Sequence, residues 1–115
     1  MTDLHDLTAL EQAALVKRGD VSVEELTRWY LGRIERLDPG LNAFVQLRPA
    51  AALAAARQLD ARRRRSRDDV RGPLWGLPTA MKDLHMTRGF YARMGSRAFR
   101  YLWSPIDDVT SATVR

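Results

Sequence analysis

The stretch "SVEELTRWYLGRIERLDPG", Ser22 to Gly40, constrains the fold of this chain more than any other. Ser22 and Glu25 have the spacing of a capping box, in which the hydroxyl accepts from the backbone three residues on and the glutamate reaches back. Val23, Leu26, Tyr30, Ile34 and Leu37 then recur at intervals of three and four, with charged residues mostly between them. That period gives a helix with one apolar face. Asp38-Pro39-Gly40 is expected to stop it, because the residue before a proline avoids the helical region and the sequence reads as a turn.

The neighbouring elements follow from the same rules. Thr8 and Glu11 repeat the capping pattern, and Leu7, Leu10 and Ala14 lie along one face of a short first helix that Lys17, Arg18 and Gly19 would close. "LNAFVQL" has the content of a brief extended segment, and Pro49 suits the first position of a third helix. That helix, "AAALAAARQLDARRRR", has high intrinsic propensity, a small-residue face with Leu53 and Leu59, and arginines at its end, where the helix dipole favours cations. "SRDDVRGP" reads as a polar turn, "LWGLPTAMKDLH" as a strand, and "RGFYARMGSRAFRYLWSP" as a mixed loop. A last helix is expected to begin near Asp107 or Asp108. Residues 1–71 are therefore expected to be mainly helical, and 72–115 to hold a strand, a loop and the start of a helix.

A chain of 115 residues, 45% hydrophobic, makes one modest domain or part of one. It has no cysteine, so disulfides and thiolate metal sites are excluded and an oxidising compartment has no support. The beginning, "MTDLHDLTALEQ", lacks the basic end and apolar core of a signal peptide, and no apolar run approaches the ~20 residues of a membrane span. A cytoplasmic protein with no membrane contact is the expectation. Of the net charge of +5, +4 lies between Arg57 and Arg71, where seven arginines face three aspartates. Basic helix ends are commonly solvated, and this one lacks the interleaved aromatics of a single-strand binder, so nucleic-acid contact is the weaker reading. His5 and His85 have no metal-ligand spacing and read as surface residues. Ser96 has no G-x-S-x-G elbow around it and reads as structural.

Within the second half, "GPLWGLPTAMKD" places Gly72, Pro73, Leu74, Gly76, Pro78, Lys82 and Asp83 in one register. This resembles the Gly-Pro-Leu-x-Gly-x-Pro-x-x-x-Lys-Asp stretch of the amidase signature family. Asn42-Ala43-Phe44 upstream, and Gly89 with "GSRAF" (Gly95 to Phe99) downstream, look like neighbouring segments of that family. The resemblance implies an α/β fold, in which this chain would supply amino-terminal helices and the first strands of an α/β/α mixed sheet, incomplete within these residues. It implies amide (C–N) bond hydrolysis by a serine-serine-lysine site, with Lys82 as its general base and acid. It implies no cofactor and no metal, and a small-molecule amide substrate. In such enzymes the two serines and a glycine-rich oxyanion segment follow the lysine, and no Gly-Gly-Ser-Ser-Gly stretch occurs here. Where the family often carries threonine before its Gly-Ser pair, this chain has Ala92 and Arg93.

A lysine can exchange protons near neutral pH when burial disfavours its ammonium form, and Leu77, Ala80, Met81 and Leu84 are expected to supply that burial. On a strand, Asp83 would face away from Lys82 and organise the loop that follows. Two other readings stand beside this one: the A subunit of a tRNA-dependent amidotransferase, and a non-catalytic helical interaction or nucleic-acid-contacting module. A strand of a large sheet without its neighbours leaves ladder groups unpaired. The chain is therefore expected to be inactive and fragile alone, and to self-associate or need a complementing chain.

Overall fold

A computed structural model of the chain describes residues 3 to 114. It divides into two compact units, Met1–Pro78 and Thr79–Arg115. The first is built from helices α1 (Ala9–Arg18), α2 (Val23–Leu41) and α3 (Pro49–Arg65), with short 3-10 turns at Leu4–Asp6 and Arg67–Asp69.

Both capping boxes form as the sequence implies. The Thr8 hydroxyl accepts from Glu11 N and the Glu11 carboxylate accepts from Thr8 N, and Ser22 and Glu25 do the same one helix later. Gly19 ends α1 in the left-handed region at φ 90°, with its N–H bonded to the Leu15 and Val16 carbonyls. Pro49 opens α3, and Arg62 to Arg65 occupy its last turn.

Val16, Val23, Leu26 and Ala56 form the core, with Leu4, Val21, Tyr30, Leu59, Trp75 and Leu77 packed around them. The stripe on α2 is thus buried at Val23 and Leu26, half-buried at Tyr30 and Ile34, and open at Leu37. On α1 the buried face is Gln12, Ala13 and Val16, while Leu10 points to solvent, against the expected Leu7–Leu10–Ala14 face. A glutamine can lead that face because its polar atoms are satisfied. Its amide donates to the Leu4 and Leu7 carbonyls at 2.9 and 3.1 Å and its oxygen accepts from the Tyr30 hydroxyl at 2.8 Å.

One boundary differs from expectation. Helix α2 runs through Pro39 to Leu41 and ends where Asn42 adopts φ 53°. Asp38 accounts for the delay: its carbonyl accepts from Asn42 N, and its carboxylate accepts from Ala43 N at 2.7 Å and Phe44 N at 3.2 Å. The turn is closed beyond the proline-directed stop. The residues after it, including "NAFVQL", are neither helix nor strand.

The expected strand over "LWGLPTAMKDLH" does not form, and no strand occurs among the described residues. Gly72 and Gly76, at φ 81° and 82°, bracket a turn closed by Leu77 N on the Leu74 carbonyl, and a second turn follows at Asp83–His85. Between them the backbone finds no ladder partner, which a strand requires. All regular elements among the described residues are helical, and the only bridge among those residues is the isolated antiparallel pair Tyr91–Trp103.

The second unit is a loop structure ending in α4 (Val109–Val114). Gly89 N bonds the Ser104 carbonyl, Ser104 N the Phe90 carbonyl and Ala92 N the Leu102 carbonyl, all at about 3 Å, so the loop closes on itself around buried Ala92. The Tyr91 and Trp103 rings meet edge-on at 5.1 Å. Among the described residues, no helix is long and apolar enough to cross a membrane.

Candidate active-site segment

The first part of the lysine segment is an anchor. Lys17 Nζ donates to the Gly72 carbonyl at 2.6 Å, and Trp75 and Leu77 pack on the helical core. Gly76 sits where a side chain has no room: a Cβ there would lie 2.9 Å from Val16 Cγ1 and 3.1 Å from Val23 Cγ2, and its φ of 82° already disfavours other residues. Gly76→Ala is therefore expected to cost about 1–3 kcal/mol by overpacking and backbone strain. A urea midpoint unchanged from the parent chain would contradict that account.

The second part presents the lysine. Lys82 is exposed, and its carbonyl accepts from His85 N at 3.0 Å. Its ammonium makes no hydrogen bond or ion pair among the described residues. The burial expected from Leu77, Ala80, Met81 and Leu84 is not present: Leu77 is on the core of the first unit, and Leu84 is exposed at 56%. Asp83 does hold the following loop, though from a turn and not a strand. Its carboxylate accepts from Arg93 N at 3.1 Å and its carbonyl from Met94 N at 3.1 Å. Arg93 thereby has a backbone role at the position where the resemblance breaks.

His85, expected at the surface, is half-buried and paired. Its Nδ1 lies 3.0 Å from Asp108 Oδ2, which also accepts from Met86 N, while Asp108 Oδ1 accepts from Ser111 N. Asp108 is thus the cap of α4, as its place in the sequence suggests, and also the tie between α4 and the turn after Lys82. The N–H of Ser111, then His85 and the N–H of Met86, hold its carboxyl down at about 2, below its ordinary 3.8. A carboxyl depressed on folding stabilises above its unfolded value and stops doing so as pH falls through the folded one. The His85–Met86 turn and α4 are expected to come apart between about pH 4 and pH 2. Amide exchange at Met86 and Ser111 reports it, and protection that persists at pH 2 would count against the tie.

The other candidates take structural places. His5 lies 3.2 Å from the carboxylates of both Asp3 and Asp6 and stacks on Trp29. The Ser96 hydroxyl accepts from Ala98 N and caps the 3-10 turn Arg97–Phe99. The buried Ser111 hydroxyl pairs with that of Thr87 at 2.9 Å, and buried Ser104 donates to the Ile106 carbonyl. No group of His, Cys, Asp and Glu among the described residues could hold a metal ion. Lys82 is the one residue of the expected site in this chain. Neither the bond from Lys17 to Gly72 nor the pairing of His85 with Asp108 has a signal in the sequence, because each joins residues far apart along the chain.

The family model described as Amidase matches residues 25–115. The chain belongs to the amidase family. Among curated proteins, it is similar to the A subunit of glutamyl-tRNA(Gln) amidotransferase from Methylococcus capsulatus, at 43% identity over 90% of this chain and 21% of that one. The proteins of the same name from Chloroflexus aurantiacus (45% identity, 84% of this chain, 20% of that one) and Acidothermus cellulolyticus (42%, 96% and 21%) are similar too. The chain spans about a fifth of the length of these relatives. No solved structure matches it.

Proposed function

We propose that residues 1–115 form the amino-terminal part of an amidase domain that cleaves amide C–N bonds, and that Lys82 is the general base and acid of a serine-serine-lysine site. The observation that carries this is the seven-residue register from Gly72 to Asp83, lying inside the matched family region. The structure lends support in one respect. The start of the segment is anchored at Gly72 and Gly76, and Asp83 ties the loop that follows, so Lys82 stands exposed on a stretch whose flanks are each held.

Amide hydrolysis needs a group that takes the proton of an attacking hydroxyl and returns it to the leaving amine. A lysine amine accepts one proton and gives back the same one, so Lys82 can serve both halves. Serines and an oxyanion segment of the family type would have to meet it from outside these residues, and would supply the enclosure that Lys82 lacks here. The 115 residues alone are proposed to be inactive.

The names of the relatives favour a second reading, in which the nitrogen released from an amide is passed on as in a glutamyl-tRNA(Gln) amidotransferase, with further subunits as partners. The test is ammonia release from a primary amide by a chimaera of these residues with the remaining length of the Methylococcus capsulatus relative, compared with its Lys82→Ala form. Equal turnover by the two overturns the assignment.

A further inference from the structure

The end of α3 closes with the last turn of α1 around a cleft of about 390 Å³, lined by Lys17, Arg63, Arg64, Arg65, Ser66 and Arg67. Five of the six are cations, and they are poorly neutralised. Among the described residues, the one carboxylate paired with any of these arginines is Asp60, 3.7 Å from Arg63 Nη2, and its oxygens already accept the N–H groups of Val23 and Glu24. Asp68 and Asp69 follow in the 3-10 turn, both exposed.

Arg63 is the unusual member. Its side chain is only 17% exposed, its guanidinium lies against Gly19, and its Nε is buried without a hydrogen-bond partner. Leaving a buried donor unmatched costs roughly 1–3 kcal/mol, more for a charged group. The negative end of the helix dipole eases the crowding of the arginines but gives Nε no acceptor. Amide cleavage has no use for such a cleft, and none of its lining residues lies in the Gly72–Asp83 segment.

We propose that this cleft binds phosphoryl groups. Guanidinium forks match the paired oxygens of a phosphate, and a neutral or singly charged ligand would leave most of the local charge uncompensated. Two sources carry this chemistry: a free di- or triphosphate, and the backbone of an RNA. The inference does not depend on the role of Lys82.

The test is calorimetric titration of the 115-residue chain with inorganic pyrophosphate, and separately with a single-stranded RNA, each at low and at physiological salt. Binding is expected to weaken as salt rises, and roughly tenfold or more in the Arg65→Ala/Arg67→Ala double variant, since charge-assisted bonds of this kind are lost. Arg36→Ala, on α2, serves as control and is expected to bind as the parent does. Should the double variant lose its helical spectrum, Arg67→Ala, outside α3, carries the same comparison. Cluster-dependent binding of pyrophosphate makes a free phosphate the source; cluster-dependent binding of RNA alone makes it the RNA backbone. Binding of neither probe, or equal weakening by Arg36→Ala, overturns the proposal.

Discussion

In the chimaera, Lys82→Ala is expected to lower turnover of a primary amide by roughly a hundred- to ten-thousand-fold, the span that general acid–base catalysis supplies. The loss should appear in kcat with little change in KM, because a proton shuttle acts in the transition state and does not bind the substrate. Lys82→Arg separates proton transfer from charge. Arginine keeps the positive charge but stays protonated, so it cannot accept a proton from a serine. If Lys82 is the base, the arginine form should be about as inactive as the alanine form. An arginine form retaining most of the turnover would show that only a cation is needed there. Folding supplies the control: Lys82 is exposed and unpaired in the described structure, so either change should leave stability within about 0.5 kcal/mol.

What could be read in the sequence and what could not divides along the range of the interactions. Thr8–Glu11, Ser22–Glu25, Pro49 and Asp108 act within three or four residues of themselves, and each takes its expected place. The end of α2 does not, because the proline rule is outweighed by a second local signal: Asp38 and Asn42 together finish the turn after Pro39 has been passed. Leu10 and Gln12 exchange roles for a longer-range reason. A glutamine is a poor core residue until Leu4, Leu7 and Tyr30 supply partners for its polar atoms, and no periodicity shows that.

The lysine segment is the opposite case. Its register points to the family, yet the strand inferred for it does not form among the described residues, because a strand is a property of paired chains and no partner is present there. The glycines within the register have local reasons that the structure makes visible. Gly72 and Gly76 need positive φ, and Gly76 also needs the absence of a Cβ against Val16 and Val23. Part of the motif around Lys82 is therefore a packing device that fixes the start of the segment on the helical core.

The largest stability effect is expected at Asp60, which in the sequence is one of three acids among seven arginines. It is 4% exposed, and its carboxylate accepts from Val23 N at 2.9 Å and Glu24 N at 3.0 Å, two donors in the first turn of α2 that have no partner within that helix. The negative charge also faces the positive end of the α2 dipole. Asp60 thus joins α3 to the start of α2 beside the core residues Val23 and Leu26. Asp60→Ala would strand both N–H groups in a site too closed for water to replace the carboxylate easily, and would remove the partner of Arg63. The expected cost is about 2–4 kcal/mol, a large part of what so small a domain can possess. Asp60→Asn isolates the charge: its oxygen can still accept one N–H, but its amide must then face donors, so roughly half or more of the loss should remain. Urea unfolding followed by far-UV circular dichroism gives the comparison. An alanine form within about 0.5 kcal/mol of the parent would mean that the two N–H groups find water, and that α3 is held to α2 by apolar contact alone.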